Sequence, residues 1–543
     1  MIRKAKLLFD TVKYLKFSQI WNRVKKKIPN LHINTSSAPS LSKPKYKFQT
    51  VTLSQQKMLN NNTFKFLNET NSINKPENWN NESLDKLWLY NLHYFDDLNA
   101  VNSNQRKEWH VGLIQKWINE NELGYGNGWE PYPTSLRIVN WIKWALLGGC
   151  LDQNGLNSLV IQVRYLNQNL EYHLLGNHLF SNAKALIFSG LYFQGSEAEK
   201  WYRLGIKIFN KQLLEQVLPD GGNFELSPMY HAIFLEDLLD ILNIHQSFKK
   251  QSPCGIEKKI TLMLYWLSVM SHPDGEVSFF NDSSTKIAPG LIELEKYAER
   301  LKISLSKKVV DIVHFQDSGY IRIQRGSLYG LLDVACIGPS YLPGHAHADT
   351  LSFEFSLFGK RVLVNSGTSC YGNSAERLRQ RGTSAHNTVV INSKNSSEVW
   401  SGFRVARRAK PFNLDINKSN EFIKITCSHD GYMRLKGKPV HTRKWEFGRN
   451  ELVVIDEVTG DFNTAEARYY FHPEIKIKMN ASQKKGTLLL SDSNKVEFQI
   501  LSGKGNIIDT TYHPSFGISL NNNCLLIKFF SSKSIVKFKW VPD

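Results

Sequence analysis

The spacing of apolar residues changes along this chain, and that change constrains the fold more than any other feature. From about residue 80 to 305 apolar residues recur at helical spacing, as at Ile138 and Ile142. From about residue 318 the period is two, clearest from Leu351 to Leu357, in runs bounded by Gly, Asn and Asp. Helices first and strands second, without alternation, predict a multidomain α+β chain: a helical bundle or toroid, then an antiparallel β domain.

Size and charge permit a large enzyme that acts on a polyanion, without saying which one. At 543 residues the chain exceeds the size at which a single core keeps growing, so we expect at least two packed units. The formal net charge is +19, and residues 1–45 contain 11 Lys and Arg against Asp10 alone. A basic chain attracts nucleic acid, acidic glycan and anionic lipid alike.

The first thirty residues have the pattern of a basic amphipathic helix. That pattern is typical of a helix at a membrane surface, and equally of a helix packed on the protein with its basic face in solvent. Residues 34–47 lack periodicity and are predicted to be a linker. The run from Leu7 to Phe9 is too short for a secretion signal, and no window approaches the ~20 apolar residues of a membrane span. The apolar residues of the segment are Ile2, Phe9, Val12, Leu15, Ile20, Trp21, Val24 and Ile28.

Polar residues cluster in the helical half where helices are predicted to begin. Asn177 and His178 follow a glycine, and Ser227 followed by Pro228 is typical of an N-cap with proline at the first helical position. Tyr230 would then lie at the positive end of a helix. We expect the helix dipole and nearby cations to lower the pKa of its phenol for proton transfer, the alternative being a hydroxyl bonded within the core.

A second cluster opens the β half. In an extended strand His345, His347 and Asp349 would share one face, which suits a metal or a proton relay. His386 and a water could complete a tetrahedral zinc site. The alternative is a pair of histidines hydrogen-bonded within a turn.

A third stretch mixes rings with a cation before a predicted helix. Trp129 and Tyr132 could stack on a sugar while Arg137 pairs with its carboxylate. Alternatively, the two rings pack inward and Arg137 caps a buried acid.

Four segments together resemble the heparinase II/III family of polysaccharide lyases. The resemblance spans roughly residues 80–400. It implies an incomplete (α/α) toroid over residues 48–315 and an antiparallel β-sandwich over 316–543, facing each other across a cleft and preceded by the segment 1–47. The segments are GNHLFSNAKAL, DGGNFELSPMYHAIFLEDLLD, GHAHADTLSFEFSLFGKRVLVNSGTSCYG and AHNTVVIN.

The resemblance also implies a role for each residue of a catalytic set. Asn177 matches the position that hydrogen-bonds the substrate carboxylate, and His178 matches a histidine that can act as base on one C5 epimer. Tyr230 matches the tyrosine that donates to the glycosidic oxygen and, for the other epimer, takes the proton. His345 resembles the histidine of the β domain that completes the set, and His231 is expected to contact substrate.

The family's metal site and one substrate contact are altered here. His347 and His386 match ligands of a structural metal such as zinc in some members, whereas Asn365 stands where an acidic ligand is expected, and an amide is a weaker ligand than a carboxylate. Ser181 stands where some relatives carry a glutamate. The chemistry itself is expected to need no cofactor.

The expected function is therefore β-elimination on an acidic polysaccharide that contains uronic acid, in a capsule or surface-glycan pathway. The sequence favours a cytoplasmic or membrane-associated protein, whereas the resemblance favours the periplasm. One alternative is a glycoside hydrolase on a toroid, with Glu225, Asp220 or Glu130 as carboxylates. Another is a non-catalytic glycan-binding or assembly protein. A nucleic-acid partner is not expected, because no recognition motif is present.

Overall fold

The chain folds into a helical part followed by a β part, as the change of period predicts. No described helix is both long and apolar enough to cross a membrane. Ile28, an apolar residue of the predicted N-terminal helix, falls outside the described residues. The computed structural model describes residues 2–26, 32–305, 310–480, 483–491 and 494–541.

The helical part packs around α7, which is apolar on nearly every side and is buried along most of its length. Helices α5, α8 and α9 contact it. The helices in the described ranges are α1 (Ile2–Val12), α2 (Phe17–Lys25), α3 (Lys86–Tyr94), α4 (Lys107–Glu120), α5 (Pro131–Leu146), α6 (Gln153–Gln168), α7 (Gly176–Tyr192), α8 (Ser196–Gln216), α9 (Pro228–Ser247), α10 (Ile256–Met270), α11 (Leu291–Arg300) and, within the β part, α12 (Ala375–Arg381).

Residues 34–47 are bound to the toroid and do not form a free linker. The backbone N–H of Ser42 donates to the Tyr192 carbonyl at 2.8 Å, and that of Lys45 donates to the Ser247 carbonyl at 2.8 Å. The segment is irregular, as predicted, because its backbone groups bond to helix ends and not to one another. It runs across the C-terminal ends of α7 and α9.

The β part contains three main sheets within the described residues. Their orders are β3-β4-β5-β6-β7, β19-β20-β15-β8 and β11-β12-β13-β14-β21-β18-β17-β16, with antiparallel pairing throughout. The strands are β1 (Thr63–Phe66) and β2 (Glu69–Ser72), a hairpin in the helical part that the sequence did not predict, then β3 (Ile312–Phe315), β4 (Tyr320–Arg325), β5 (Leu328–Asp333), β6 (Phe353–Leu357), β7 (Lys360–Leu363), β8 (Val389–Ile391), β9 (Val399–Trp400), β10 (Arg404–Val405), β11 (Pro411–Lys418), β12 (Ile423–His429), β13 (Val440–Phe447), β14 (Glu451–Thr459), β15 (Ala465–Tyr470), β16 (Lys476–Met479), β17 (Lys485–Leu489), β18 (Lys495–Ser502), β19 (Lys504–Tyr512), β20 (Leu520–Lys528) and β21 (Lys533–Trp540).

One apolar core joins the three sheets. Alternate residues of β13 are buried, as expected for a strand with one face on a core, and Trp445 packs there edge-on to Phe353 of β6. The resulting sandwich confirms the predicted β domain.

The toroid rests on the outer face of the β3–β7 sheet. Trp266 of α10 stacks on Phe315 of β3 and meets Tyr320 of β4 edge-on. Because β3 pairs with β4, the sheet begins at Ile312, slightly before the predicted boundary at 315/316. These ring contacts join the helical part to the β part.

Candidate active site

The first turn of α7 carries Asn177 and His178 to the junction, and its backbone is unusual. Leu175, the residue before the helix, has φ 68°, and Gly176 has φ 57°. A Cβ on Gly176 would lie 2.3 Å from Leu342 Cδ2 and 3.2 Å from Glu225 Oε1, so only glycine fits. Asn177 and His178 are both half-buried, within reach of the cleft.

His178 is held by a buried carboxylate. Its Nδ1 lies 3.0 Å from Glu171 Oε1, and its ring lies 4.5 Å from the ring of Tyr132. Burial opposes the charge on His178, but the Glu171 carboxylate outweighs it and raises the pKa of the imidazole above its ordinary value. With Nδ1 engaged, Nε2 is the nitrogen that can take a proton.

Tyr230 begins α9 as the sequence predicts. Ser227 is the N-cap, its hydroxyl accepts the Tyr230 N–H at 3.2 Å, and Pro228 is the first helical residue. The predicted lowering of the phenol pKa is wrong: burial, reinforced by Tyr371, raises the pKa of Tyr230 well above its ordinary value. The hydroxyls of Tyr230 and Tyr371 lie 2.8 Å apart. Tyr230 is therefore a neutral phenol, which suits a proton donor.

His345 comes from the β part and reaches Tyr230. Its ring stacks on the Tyr230 ring with centroids 3.8 Å apart and an interplanar angle of 30°. Its Nδ1 lies 2.9 Å from Asp282 Oδ2, and its Nε2 lies 3.7 Å from Glu225 Oε2. The predicted extended strand over residues 345–349 is wrong, since these residues form an irregular loop between β5 and β6.

Asp282 is the buried anion around which this loop is organised. Its carboxylate accepts hydrogen bonds from both terminal nitrogens of Arg377, from His345 Nδ1 and from His347 Nε2 at 2.8 Å. Burial opposes the charge, but Arg377 and the two histidines hold the pKa of Asp282 well below its ordinary range. His345 is thereby fixed in one ring orientation.

Glu225 lies where the two parts meet. No side chain among the described residues donates a hydrogen bond to its oxygens, although the side chain is buried, and the nearby Asn177 N–H favours its charged form. Burial raises the pKa of this carboxyl. It lines a cavity of about 10 Å³, which is the space of one water, together with Tyr132, Asn177, Ser181 and Tyr230.

The structure therefore brings the four predicted catalytic residues together. Asn177 and Tyr230 line one cavity with Tyr132, His178 contacts the Tyr132 ring, and His345 stacks on Tyr230.

Of the four predicted substrate contacts, only Tyr132 lines the cavity. Trp129 is buried against the rings of Trp117 and Tyr165. Arg137 is fully buried, stacks 3.8 Å from the centroid of the Trp117 ring, and bonds the side chain of Gln162, not an acid. The prediction that Trp129 and Arg137 touch substrate is wrong, because helix packing turns both toward the core.

His231 is also a core residue, so its predicted contact with substrate is wrong. Its Nδ1 accepts the Asn223 N–H at 3.2 Å, which leaves Nε2 to donate to the Met263 carbonyl at 2.9 Å. The ring stacks on Trp266 with centroids 4.3 Å apart, and burial lowers its pKa to about 3. Both nitrogens are satisfied inside the protein.

A candidate metal site lies beside this loop, and its acidic member is Asp349. Ligand atoms of His347, Asp349 and His386 all lie within 4.8 Å of one another. Asn365 is buried, and its side-chain carbonyl accepts the Asn387 N–H, next to His386, at 3.1 Å. The carboxylate that accompanies the two histidines is therefore that of Asp349.

The geometry of this group fits zinc. His347 Nδ1 and His386 Nε2 lie 3.3 Å apart. A tetrahedral zinc ion with zinc–nitrogen distances of about 2.0–2.1 Å holds two nitrogen ligands about 3.3–3.4 Å apart. Burial lowers the pKa of His347 to about 4 and that of His386 to about 3, so both imidazoles are neutral, as metal ligands must be.

Reasoning from the sequence missed four residues of the site. Glu171, Asp282, Tyr371 and Arg377 each contact a predicted catalytic residue or a partner of one. Tyr371 lies inside a segment that carries the family resemblance, and that is the one signal that pointed to it. Glu171 lies seven residues before His178 in an irregular stretch, and Asp282 finds its partners 63 to 95 residues away.

Comparison with known proteins agrees with this architecture. Two curated relatives are heparin-sulfate lyases. The one from Bacteroides stercoris is 25% identical over 358 residues, which is 62% of this chain and 51% of the relative. The one from Pedobacter heparinus is 22% identical over 396 residues, which is 65% of this chain and 56% of the relative. The chain spans about half the length of the curated relatives it matches.

Solved structures share the fold. A crystal structure of heparinase III has a TM-score of 0.68 at 17% identity, over 83% of this chain and 77% of that one. Heparan sulfate lyase from Pedobacter heparinus has a TM-score of 0.58 at 16% identity, over 92% and 86%. The predicted toroid followed by a β-sandwich is confirmed.

Family matches cover both parts of the chain. Residues 307–540 match the family described as Heparinase II/III-like, C-terminal. Residues 11–303, more than half of the chain, match the family described as Heparinase II/III N-terminus. This chain therefore belongs to the heparinase II/III family.

Proposed function

We propose that this protein is a polysaccharide lyase that cleaves an acidic polysaccharide containing uronic acid by β-elimination. The observation that carries the proposal is the contact between Tyr230 and His345. A neutral phenol from the toroid stacks on an imidazole from the sandwich, beside the amide of Asn177. These are the residue types that an elimination needs, gathered from both walls of one cleft.

The first task is to make the C5 proton acidic and remove it. The Asn177 amide donates to the uronate carboxylate and withdraws charge from C5 without ionising itself. His178 takes the C5 proton on Nε2, because Glu171 occupies Nδ1 and strengthens the base.

The second task is to protonate the leaving oxygen. As the C4–O bond breaks, the electrons of the C5–H bond form the C4=C5 double bond, and Tyr230 gives its proton to the departing oxygen. Tyr371 lies against the Tyr230 hydroxyl and can return a proton through that hydrogen bond. The products are an unsaturated uronate and a new chain end.

The same arrangement favours one C5 epimer. If the C5 proton lies on the face away from His178, Tyr230 must take it as a phenolate, and burial disfavours that charge. We therefore expect faster turnover of the epimer whose proton faces His178.

A structural divalent metal such as zinc belongs to the proposal as a support. His347, Asp349 and His386 would hold it. When bound, it would stiffen the loop that carries His345. The proton transfers above are written with side chains of this chain alone.

The proposed setting is a capsule or surface-glycan pathway, with the segment 1–30 in peripheral contact with a membrane. Support for that setting comes from the apolar side chains that α1 and α2 leave exposed.

The alternative of a glycoside hydrolase has less support from the positions of its candidate carboxylates. Glu130 binds Lys86 and Tyr90, and Asp220 binds the hydroxyl and backbone N–H of Ser318. Of the three candidates, only Glu225 lines the cavity. Hydrolysis needs a pair of carboxyl groups across the scissile bond.

The test is the ultraviolet absorbance of the unsaturated product. Purified protein is screened against heparan sulfate, chondroitin, hyaluronan, alginate and capsular polysaccharides. We expect absorbance to rise with at least one, and Tyr230→Phe to lose about 10²–10⁴-fold in kcat. The matched control is Tyr125→Phe, an exposed tyrosine that does not line the cavity.

Other outcomes would overturn the proposal. Saturated fragments would establish hydrolysis. Polysaccharide binding without any fragment by mass analysis would establish a non-catalytic binding or assembly protein. Equal activity in Tyr230→Phe would remove Tyr230 from the mechanism.

A further inference from the structure

We infer that α1 and α2 present a docking face for an anionic lipid bilayer. It rests on the membrane contact proposed above and names the lipid chemistry of that contact, and it stands independently of the proposed lyase activity. The N-terminal apolar face, as we name it, consists of Leu8, Phe9, Val12, Phe17, Ile20, Trp21 and Val24, all of them exposed.

Helix α2 is packed with its polar side inward. Phe17, Ile20, Trp21 and Val24 lie at positions i, i+3, i+4 and i+7 and so form one stripe, and they are 79%, 43%, 60% and 58% exposed. Gln19 lies on the opposite side, is 1% exposed, and donates from Nε2 to the Leu174 carbonyl at 3.3 Å. A surface helix of a soluble domain normally shows the reverse arrangement.

Helix α1 repeats the arrangement. Leu8, Phe9 and Val12 are 47%, 70% and 40% exposed. Asp10, on the other side of the helix, is buried and accepts a hydrogen bond from Lys13 at 2.8 Å. The two helices therefore present apolar side chains outward together.

Contacts with the body fix this orientation. Lys16 pairs with Glu215 of α8, and its ammonium lies 3.8 Å from the centroid of the Tyr341 ring. The Trp400 indole N–H donates to the Thr11 hydroxyl at 3.0 Å. Turning the apolar stripe inward would break these contacts, so the stripe stays outward in the folded protein.

The charge around the face selects a negative partner. Residues 1–26 contain eight Lys and Arg against Asp10 alone. Basic residues that flank exposed Trp and Phe are the composition of helices that lie in the interface of an anionic bilayer.

Two other partners, an acidic polysaccharide and a second copy of the chain, match the N-terminal apolar face less completely. An acidic polysaccharide would neutralise the cations and stack on Trp21, but it has no apolar surface to cover the aliphatic side chains of Ile20 and Val24. A second copy of the chain would cover the rings but would bring two basic faces together, and like charges oppose that contact. A bilayer with anionic headgroups satisfies both the rings and the cations.

The experiment is co-sedimentation of the full chain with two kinds of vesicle, zwitterionic phosphatidylcholine and phosphatidylcholine containing phosphatidylglycerol. We expect binding to the anionic vesicles that weakens as salt is added. The double variant Phe17→Ser/Trp21→Ser should lose at least tenfold in the partition coefficient. Phe530→Ser is the matched control, because Phe530 is 75% exposed on the β20–β21 turn, and it should bind as the parent does.

Circular dichroism and light scattering test whether the variants are folded and whether the chain forms a dimer. Secondary structure by circular dichroism should be the same in all variants, which shows that the double variant is folded. The inference is overturned if the parent does not bind anionic vesicles, or if the double variant binds equally well. It is also overturned if light scattering shows a dimer that the double variant converts to a monomer while vesicle binding is absent.

Discussion

Glu225 Oε2 lies 3.7 Å from His345 Nε2, and no side chain among the described residues donates a hydrogen bond to either oxygen of Glu225. The same side chain faces the start of α7, where its Oε1 would lie 3.2 Å from a Cβ on Gly176. One carboxyl group thus stands between the helix that carries Asn177 and the loop that carries His345. An anion is favourable at a helix N terminus, so its charge stabilises this junction.

Glu225→Gln should therefore lower kcat by about 10–100-fold with little change in KM, because small displacements of positioned groups are costly in the transition state. Steady-state kinetics on the substrate found in the screen would separate the two constants. Glu293→Gln, which alters an exposed carboxylate paired with Lys296, is the control and should stay near the parent. An unchanged kcat in Glu225→Gln would show that Glu225 does not position the site.

Tyr371→Phe should shift the alkaline limb of the pH–rate profile to lower pH. Tyr230 is active as the protonated phenol, so activity falls as pH rises through its pKa. Tyr371 raises that pKa through charge and hydrogen bonding, and its removal lowers it. The profile of kcat from about pH 8 to about pH 12, which extends above the ordinary tyrosine value of about 10, would show the shift. A profile identical to the parent's would contradict the role given to the Tyr230–Tyr371 contact.

Glu171→Gln should shift the acidic limb of the pH–rate profile to lower pH. His178 is active as the neutral base, so activity rises as pH rises through its pKa. Glu171 raises that pKa, and the amide would let it fall. The weaker base should also lower kcat, by about tenfold or more. Glu199→Gln, at an exposed ion pair with Arg203, is the control for a change of surface charge. A fixed acidic limb in Glu171→Gln would indicate that His178 is not the base.

Asp349→Asn should weaken zinc binding by at least about tenfold, because it removes the carboxylate that accompanies His347 and His386. Asn365→Ser should retain the metal, since the Asn365 side chain is engaged by the Asn387 N–H. Elemental analysis of folded protein after dialysis against limiting zinc would measure both. Metal loss in Asn365→Ser with retention in Asp349→Asn would reverse the assignment.

The chain contains an internal comparison for this site. His429 Nε2 and His441 Nδ1 lie 3.2 Å apart in the sandwich core, much like the pair His347 and His386. There His429 Nδ1 accepts the Gly431 N–H, so His429 Nε2 carries the ring proton and donates it to His441 Nδ1, while His441 Nε2 donates to Asp456. That pair is closed by its own hydrogen bonds, so we expect no metal there.

Signals that act over a few residues predicted the structure well. The start of α9 could be read from Ser227 and Pro228, because a cap bonds to a backbone N–H three residues away. The division into helices and strands followed from periodicity for the same reason. The hairpin β1–β2 escaped notice because its strands are only four residues long.

Whether a side chain points inward or outward could not be predicted in the same way. Trp129 and Arg137 have a composition suited to a sugar-binding surface and equally suited to a core, and helix packing decided the matter. At the N terminus the sequence left two readings open, a helix at a membrane and a helix on the body. In the structure both helices pack on the body of the protein. Their apolar side chains are nevertheless exposed, although either interpretation would have covered them.

Residues that act through distant partners were also beyond the sequence. Asp282 and Arg377 are 95 positions apart, and nothing local to either one indicates that they meet. The Asp282 network became visible only when the fold brought the loop after β5 against residues at the end of the helical part.

The N-terminal helices and the turn between them contact both parts of the protein. Thr11 and Tyr14 hold the β-sandwich at Trp400 and Arg408, while Lys16 and Gln19 hold the toroid at Glu215 and Leu174. A catalytic set divided between those two parts depends on their relative placement, so we expect a truncation that removes the N-terminal helices to affect catalysis as well as any attachment to lipid. Point substitutions on the outer face separate the two effects, whereas a shortened chain would confound them.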